Sequence, residues 1–225
     1  MTPQNKIYSE IRTVMFIDIV GYTTTTTELN REDFNHFHDI FDSLALPTFS
    51  EFGGEVIKKI GDAFLITFKS ATDAVLCGIT LQEKFRAYNI ENRTQRPILI
   101  RVVLHAGEVL IRNGDVFGDA VNTASRIENI AQAGHIVLSE SVYNAMNKNE
   151  VKVIFLARHK FRGLRHPLAI FRVQTKKDQI VMKRHRKQNG HKKKFKTIIR
   201  LIVGISLVIV GLIVLYFILQ NKNLI

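Results

Sequence analysis

Asp18 and Asp62 each stand where an apolar, strand-like run breaks into glycine-containing polar sequence. The two stretches are Phe16-Ile17-Asp18-Ile19-Val20-Gly21-Tyr22 and Lys58-Lys59-Ile60-Gly61-Asp62-Ala63-Phe64. Two carboxylates held at neighbouring strand ends can bind hard divalent cations, and a pair of Mg²⁺ ions so held can grip a nucleoside triphosphate.

Positioning such a pair requires strands that end side by side, and the hydrophobic period predicts them. Thr13 to Ile19 reads as a buried strand. Glu28 to Phe52 carries Phe34, Phe37, Phe41, Leu44 and Leu46 near helical spacing, with Pro47 as an expected kink and Gly53-Gly54 as its end. Val56–Ile60 and Ala63–Phe68 read as strands around Gly61-Asp62, and Ala71 to Tyr88 as an amphipathic helix. Strands at Ile98–Leu104 and Val109–Ile111, a helix at Ala120–Ala131 and a strand at Ile136–Leu138 follow. A short helix near Ser139–Met146 and strands near Val151–Ala157 and Leu168–Val173 close the domain. The opening βαββαβ order predicts an α+β fold: a ferredoxin-like core sheet with helices on one face, extended by C-terminal strands.

Nearly all of the net charge of +12 lies in one segment. Residues 1–175 carry 20 Lys and Arg against 19 Asp and Glu, whereas residues 176–200 carry 11 basic residues and one acid. A nearly neutral domain argues against nucleic acid as a partner. Cys77 is the single cysteine and lies in an apolar stretch, which excludes an intramolecular disulfide and fits a core position.

Leu201 to Leu219 is a run of 19 residues without a charge. As a helix it would measure about 28 Å, close to the ~30 Å hydrocarbon core of a bilayer. Lys192, Lys193, Lys194, Lys196 and Arg200 precede it and only Lys222 follows, which places the N-terminal side in the cytoplasm. Met1 to Glu10 is polar and does not read as a signal peptide. The expected layout is a domain at 1–175, a basic juxtamembrane linker at 176–200, a transmembrane helix at 201–219 and a tail at 220–225. A cytoplasmic domain with a C-terminal anchor suits a bacterial inner membrane.

Three stretches taken in order carry a resemblance. They are Asp18-Ile19-Val20-Gly21-Tyr22-Thr23; Lys58 with Gly61-Asp62; and Asp115-Val116-Phe117-Gly118-Asp119-Ala120-Val121-Asn122-Thr123-Ala124-Ser125-Arg126-Ile127-Glu128. Together they resemble the class III nucleotidyl cyclase catalytic domain over about Thr13 to Val173, and the last is the most specific. The resemblance implies two Mg²⁺ or Mn²⁺ ions per active site, bound by Asp18, Asp62 and the backbone carbonyl of Ile19. It implies Gly21, Tyr22 and Thr23 as a phosphate-facing turn, and Arg162, before Gly163, as a further phosphate contact. Asn122 would orient the ribose, and Arg126 would stabilise charge on the α-phosphate.

The resemblance also makes Lys58 and Asp115 the base-reading pair, with Asp119 as a rival acid. Lys58 only donates and ionised Asp115 only accepts, which matches the N1 acceptor and N6 donor of adenine and mismatches guanine. The segment Glu108–Gly114 before Asp115 is shorter than the corresponding arm of many relatives. Lys59, next along the strand, is expected on the opposite face in solvent, and His105 is expected to be a core or interface histidine. In the family the metal aspartates come from one chain and the Asn122 and Arg126 positions from its partner, so this chain is expected to work as a homodimer. The expected activity is a membrane-anchored adenylyl cyclase converting ATP to cyclic AMP and pyrophosphate. A guanylyl cyclase and a non-catalytic nucleotide-binding signalling module are the alternatives.

Overall fold

A computed structural model describes residues 7–22, 27, 29–93, 97–175 and 178. The chain divides into two compact units, Met1–Gln174 and Thr175–Ile225. In the second, Thr175 donates from its backbone N–H and its hydroxyl to the Asp178 carboxylate, each at 2.7 Å. The expected membrane span at 201–219 lies outside the described residues, as do the tail and all of the basic segment except Asp178. Among the described residues no helix is long and apolar enough to cross a membrane.

The first unit is one mixed sheet with helices on both faces. In chain order its elements are β1 (Tyr8–Ile19), α1 (Arg31–Glu51), β2 (Glu55–Ile60), β3 (Ala63–Phe68), α2 (Ala71–Glu91) and β4 (Ile100–Arg112). Then come β5 (Asp115–Phe117), α3 (Asp119–Glu128), β6 (Ile136–Ser139), α4 (Glu140–Ala145), β7 (Val153–His159) and β8 (Leu168–Val173). The strands lie in the order β2-β3-β1-β4-β6-β8-β7, with β5 paired to β4. The first four strands therefore take the βαββαβ arrangement expected from the sequence, and β6, β8 and β7 extend it.

The two helices of the βαββαβ core, α1 and α2, share one face as expected, and α3, which follows the core, lies on the other. Met15, Ile17 and Ile19 of β1 join Phe41, Ala45 and Phe49 of α1 and Val75, Leu81 and Phe85 of α2 in one core. Val14 and Phe16 point the other way, into a second core with Val103, Ala120, Ala124 and Ile127, which puts α3 on the opposite face. The reason is the pleat: successive side chains alternate faces, so an unbroken apolar strand must be covered on both. The covering stripe of α3 is small, and a Cβ built at Gly107 would come within 3.1 Å of the Ala120 Cβ. Fully buried side chains such as Phe41, Phe49 and Phe85 each contribute about 1.5–3 kcal/mol by leaving water.

Two further differences bear on the site. The two strands expected around His105 are one strand of 13 residues, because Ala106 and Gly107 stay in the ladder opposite Thr13 and Arg12. β5 was not expected at all. It pairs with β4 through a hairpin closed by Arg112 and Asp115, with Asn113 and Gly114 both at positive φ, 53° and 76°. Asn-Gly with both residues left-handed is the preferred two-residue hairpin turn. The short segment before Asp115 is thus a tight hairpin.

Candidate active site

Asp18 is buried, one residue from the end of β1, directly opposite Arg101 of β4. Asp62 lies in the β2–β3 turn, where Ile60 pairs with Ala63 and only Gly61 and Asp62 connect them. Gly61 has φ 62°, the left-handed first position that a two-residue turn of this kind needs glycine to fill. β3 lies beside β1, so the turn delivers Asp62 to the end of β1. Burial, followed by hydrogen bonding to and repulsion from Asp18, pushes the Asp62 carboxyl up to about 6. Its own backbone N–H and Arg101 pull the other way.

A carboxyl pushed up by burial and by a neighbouring carboxylate fits a hard divalent cation, which would relieve the repulsion. No group of three or more His, Cys, Asp and Glu side chains suited to a metal occurs among the described residues. The residues that could hold a cation at this strand end are Asp18 and Asp62, beside Ile19, the buried last residue of β1.

Sequence reasoning missed Arg101 and the role of Glu128 here. The Arg101 guanidinium Nη2 pairs with the Asp18 carboxylate and, at 3.0 Å, with Glu128 at the C-terminal end of α3. Arg101 Nε is buried and, among the described residues, has no hydrogen-bond partner. Burial raises the Glu128 carboxyl while Arg101 draws it back down. The available signal was a lone arginine inside the apolar run Ile98-Leu99-Ile100-Arg101-Val102-Val103-Leu104. A charge there needs a partner on the adjoining strand or helix.

Lys58 and Asp115, the pair expected to read the base, meet within one chain. Lys58 Nζ of β2 donates to both Asp115 carboxylate oxygens at 2.7 Å, and lies 5.8 Å from the centre of the Phe117 ring. Hydrogen bonding to Lys58 holds the Asp115 carboxyl below its ordinary value, although partial burial opposes this. Asp119, the rival acid, is an exposed first-turn residue of α3. Lys59 faces away from Lys58 and is exposed, as expected, but its ammonium is paired. Its Nζ reaches the two Asp42 carboxylate oxygens of α1 at 2.5 and 2.8 Å and lies 5.2 Å from the Phe64 ring centre.

Asn122 and Arg126 lie one helical turn apart on α3, Asn122 exposed and Arg126 half-buried. The β7–β8 loop closes over Arg126: Gly163 has φ 84°, and a Cβ there would come within 3.2 Å of Arg126 Nη2. Arg162, the preceding residue, is exposed in the same loop. Gly21 has φ 75° in the turn after β1. The Tyr22 hydroxyl lies 2.8 Å from His38 Nε2, and its ring packs near Phe34 and Phe37, which ties that turn to α1. Thr23 lies outside the described residues. His105 is internal, with Nδ1 2.9 Å from Ser139 Oγ, and burial lowers its pKa to about 4, so it stays neutral.

Residues 4–175 match the family described as the adenylate and guanylate cyclase catalytic domain. Over 162 residues the chain is 32% identical to the serine/threonine-protein kinase pkn2 of Myxococcus xanthus, covering 72% of this chain and 20% of that protein. Over 169 residues it is 25% identical to the putative adenylate cyclase 3 of Rhizobium meliloti, covering 75% and 29%. The chain thus spans less than a third of the length of these two curated relatives. Its fold is similar to that of the adenylyl cyclase CyaB from P. aeruginosa, with a TM-score of 0.71 and 23% identity over 76% of this chain and 96% of that one. It is also similar to the guanylate cyclase domain of RhGC from Catenaria anguillulae, solved with GTP, with a TM-score of 0.66 and 25% identity over 76% and 98%. With residues 4–175 matched, the chain belongs to the family of adenylate and guanylate cyclase catalytic domains.

Proposed function

We propose that the chain is an adenylyl cyclase that converts ATP to 3′,5′-cyclic AMP and pyrophosphate as a homodimer anchored in a membrane by residues 201–219. The observation that carries the choice of ATP is the Lys58–Asp115 pair, at 2.7 Å and about one third exposed on each side. An ammonium has three donors and a carboxylate about four acceptor positions, so each partner keeps capacity for one more bond. Lys58 donates to N1 of adenine and Asp115 accepts from N6. Guanine would set its N1 donor against Lys58 and its O6 acceptor against Asp115, leaving both mismatched.

In the reaction the ribose 3′ oxygen attacks the α-phosphorus, the bond to the β,γ-pyrophosphate breaks, and the 3′ proton leaves. Asp18, Asp62 and the Ile19 carbonyl would hold two Mg²⁺ or Mn²⁺ ions, which when bound would acidify the 3′ hydroxyl and neutralise the triphosphate. Arg126 donates to the α-phosphate oxygens where charge builds, Asn122 holds the ribose, and Arg162 with the Gly21–Thr23 turn engages the triphosphate.

Geometry within one chain supports a shared site. Glu128 contacts Arg101 beside Asp18. Arg126, two residues earlier, leaves the helix about 200° away. Asn122 and Arg126 therefore face away from their own metal carboxylates and serve those of a partner chain. A head-to-tail pair of identical chains then builds two equivalent sites.

Turnover of ATP and GTP by the purified full-length chain tests the reading. The expected result is cyclic AMP formation that exceeds cyclic GTP formation. The likeness to a guanylate cyclase domain bound to GTP supports the second reading, and faster GTP turnover would establish it. Turnover of neither nucleotide would leave a non-catalytic signalling module. For the anchor, the full chain should stay in the membrane fraction through alkaline carbonate extraction; release into the supernatant would remove it from the proposal.

A further inference from the structure

Arg101 makes one ion pair with a proposed metal ligand, Asp18, and another with Glu128, which has no part in the chemistry above. Its guanidinium thus occupies one side of the carboxylate that a divalent cation must reach. A cation arriving at Asp18 meets a like charge already in place. If Asp18 were the only partner of Arg101, metal entry would strand a part-buried guanidinium with no counter-ion. Glu128 removes that conflict. It sits at the end of α3, is part-buried with about one fifth of its side chain exposed, and holds the same Nη2 atom that pairs with Asp18.

We propose that Glu128 is a positioning residue for metal entry. It shares Arg101 with Asp18 while the site lacks a divalent cation, and keeps Arg101 at the rim, still paired, once a cation takes Asp18. This inference rests on the reading of Asp18 and Asp62 as the cation-binding carboxylates. Metal entry then exchanges one partner of Arg101 and leaves the other in place, so the site opens without an unpaired buried charge. The arginine serves as a resident counter-ion in the empty site, and Glu128 decides how easily it yields.

The test is Mn²⁺ binding to the full-length chain without nucleotide, read from the loss of the free-ion EPR signal. Glu128→Gln is expected to weaken binding about fivefold, because Arg101 then competes for Asp18 with no second carboxylate to receive it. Arg101→Met, which removes the competitor, is expected to tighten binding by a similar factor. In the Arg101→Met background, Glu128→Gln should change affinity less than about twofold, since its effect runs through the guanidinium.

An equal loss in both backgrounds would show that Glu128 acts only as a nearby negative charge and would overturn the proposal. Arg101→Met that weakens Mn²⁺ binding would overturn it too, and that comparison does not depend on Glu128→Gln folding. Asp62→Asn separates the two levels. It should abolish tight Mn²⁺ binding, and unchanged binding would sink the metal-site reading itself together with this inference.

Discussion

The two hairpins each deliver one aspartate, and the two carboxyls shift in opposite directions. Asp62 sits inside the β2–β3 turn, beside a second carboxylate, and is pushed up to about 6 chiefly by burial. Asp115 sits just past the β4–β5 turn, bonded through both oxygens to Lys58, and is held below its ordinary value. One residue type thus has two roles, set by its neighbours. The first is a carboxyl held up by burial beside a second carboxylate, an arrangement that fits a cation site; the second is an acceptor whose counter-ion is already present.

The contrast is sharpest at Asp62. Replacing it with Asn should lower cyclic AMP formation at least about 100-fold, since each metal contributes several kcal/mol to the transition state. Activity within tenfold of the parent chain would remove Asp62 from the metal site. At the other hairpin, Lys58→Glu combined with Asp115→Cys should lower kcat/KM for ATP about 10–100-fold and favour GTP. A retained ATP preference would mean that the pair does not read the base. Mixing equal amounts of Asp62→Asn and Arg126→Ala chains, each inactive alone, should restore about a quarter of the normal sites if pairing is random. No recovery in a verified mixed dimer would place all the catalytic groups in one chain.

The stability effects are smaller. The folded-state value of Asp62 lies above its ordinary 3.8, so the folded chain binds the proton more tightly than the unfolded one. The metal-free protein is therefore favoured by this group at low pH and loses that advantage as pH rises from about 4 through about 6. Asp62→Asn should then stabilise the metal-free chain at pH 7 by about 1 kcal/mol, after solvent screening is discounted. Urea melts in chelator would show it, and a destabilised variant would contradict the assigned direction. Asp115→Asn should cost only about 0.5 kcal/mol by the same melts, because exposed ion pairs contribute little. A loss above about 2 kcal/mol would mean that the β4–β5 hairpin depends on the pair for its folding.

Much of this was legible from local pattern. Asp18, Gly61-Asp62 and Asn122 with Arg126 were placed on a strand end, a hairpin turn and a helix, because each signal is contained within a few residues. What was missed depends on groups far apart in sequence. Arg101 meets Asp18 through strand register and Glu128 through the packing of α3 on the sheet, contacts that no local period encodes. That a helix beyond the core covers the second face was signalled too: Thr13-Val14-Met15-Phe16-Ile17 has no polar alternation beyond its first residue, which is how a strand covered on both faces reads. The turn pair Asn113-Gly114 was likewise on view, and its hairpin went unread because the strand it starts is only three residues long.

That hairpin has a consequence for how such a chain can change over generations. With only two residues in the turn, the orientation of Asp115 is inherited from its pairing with Arg112. A one-residue insertion or deletion there would turn Asp115 to the other side of the sheet and bring an apolar neighbour round in its place. Length variation at this loop is therefore closed as a route to a new base preference. On the proposed reading of Lys58 and Asp115, what stays open is point substitution at these two positions, which would make nucleotide choice a two-codon property carried on a fixed frame.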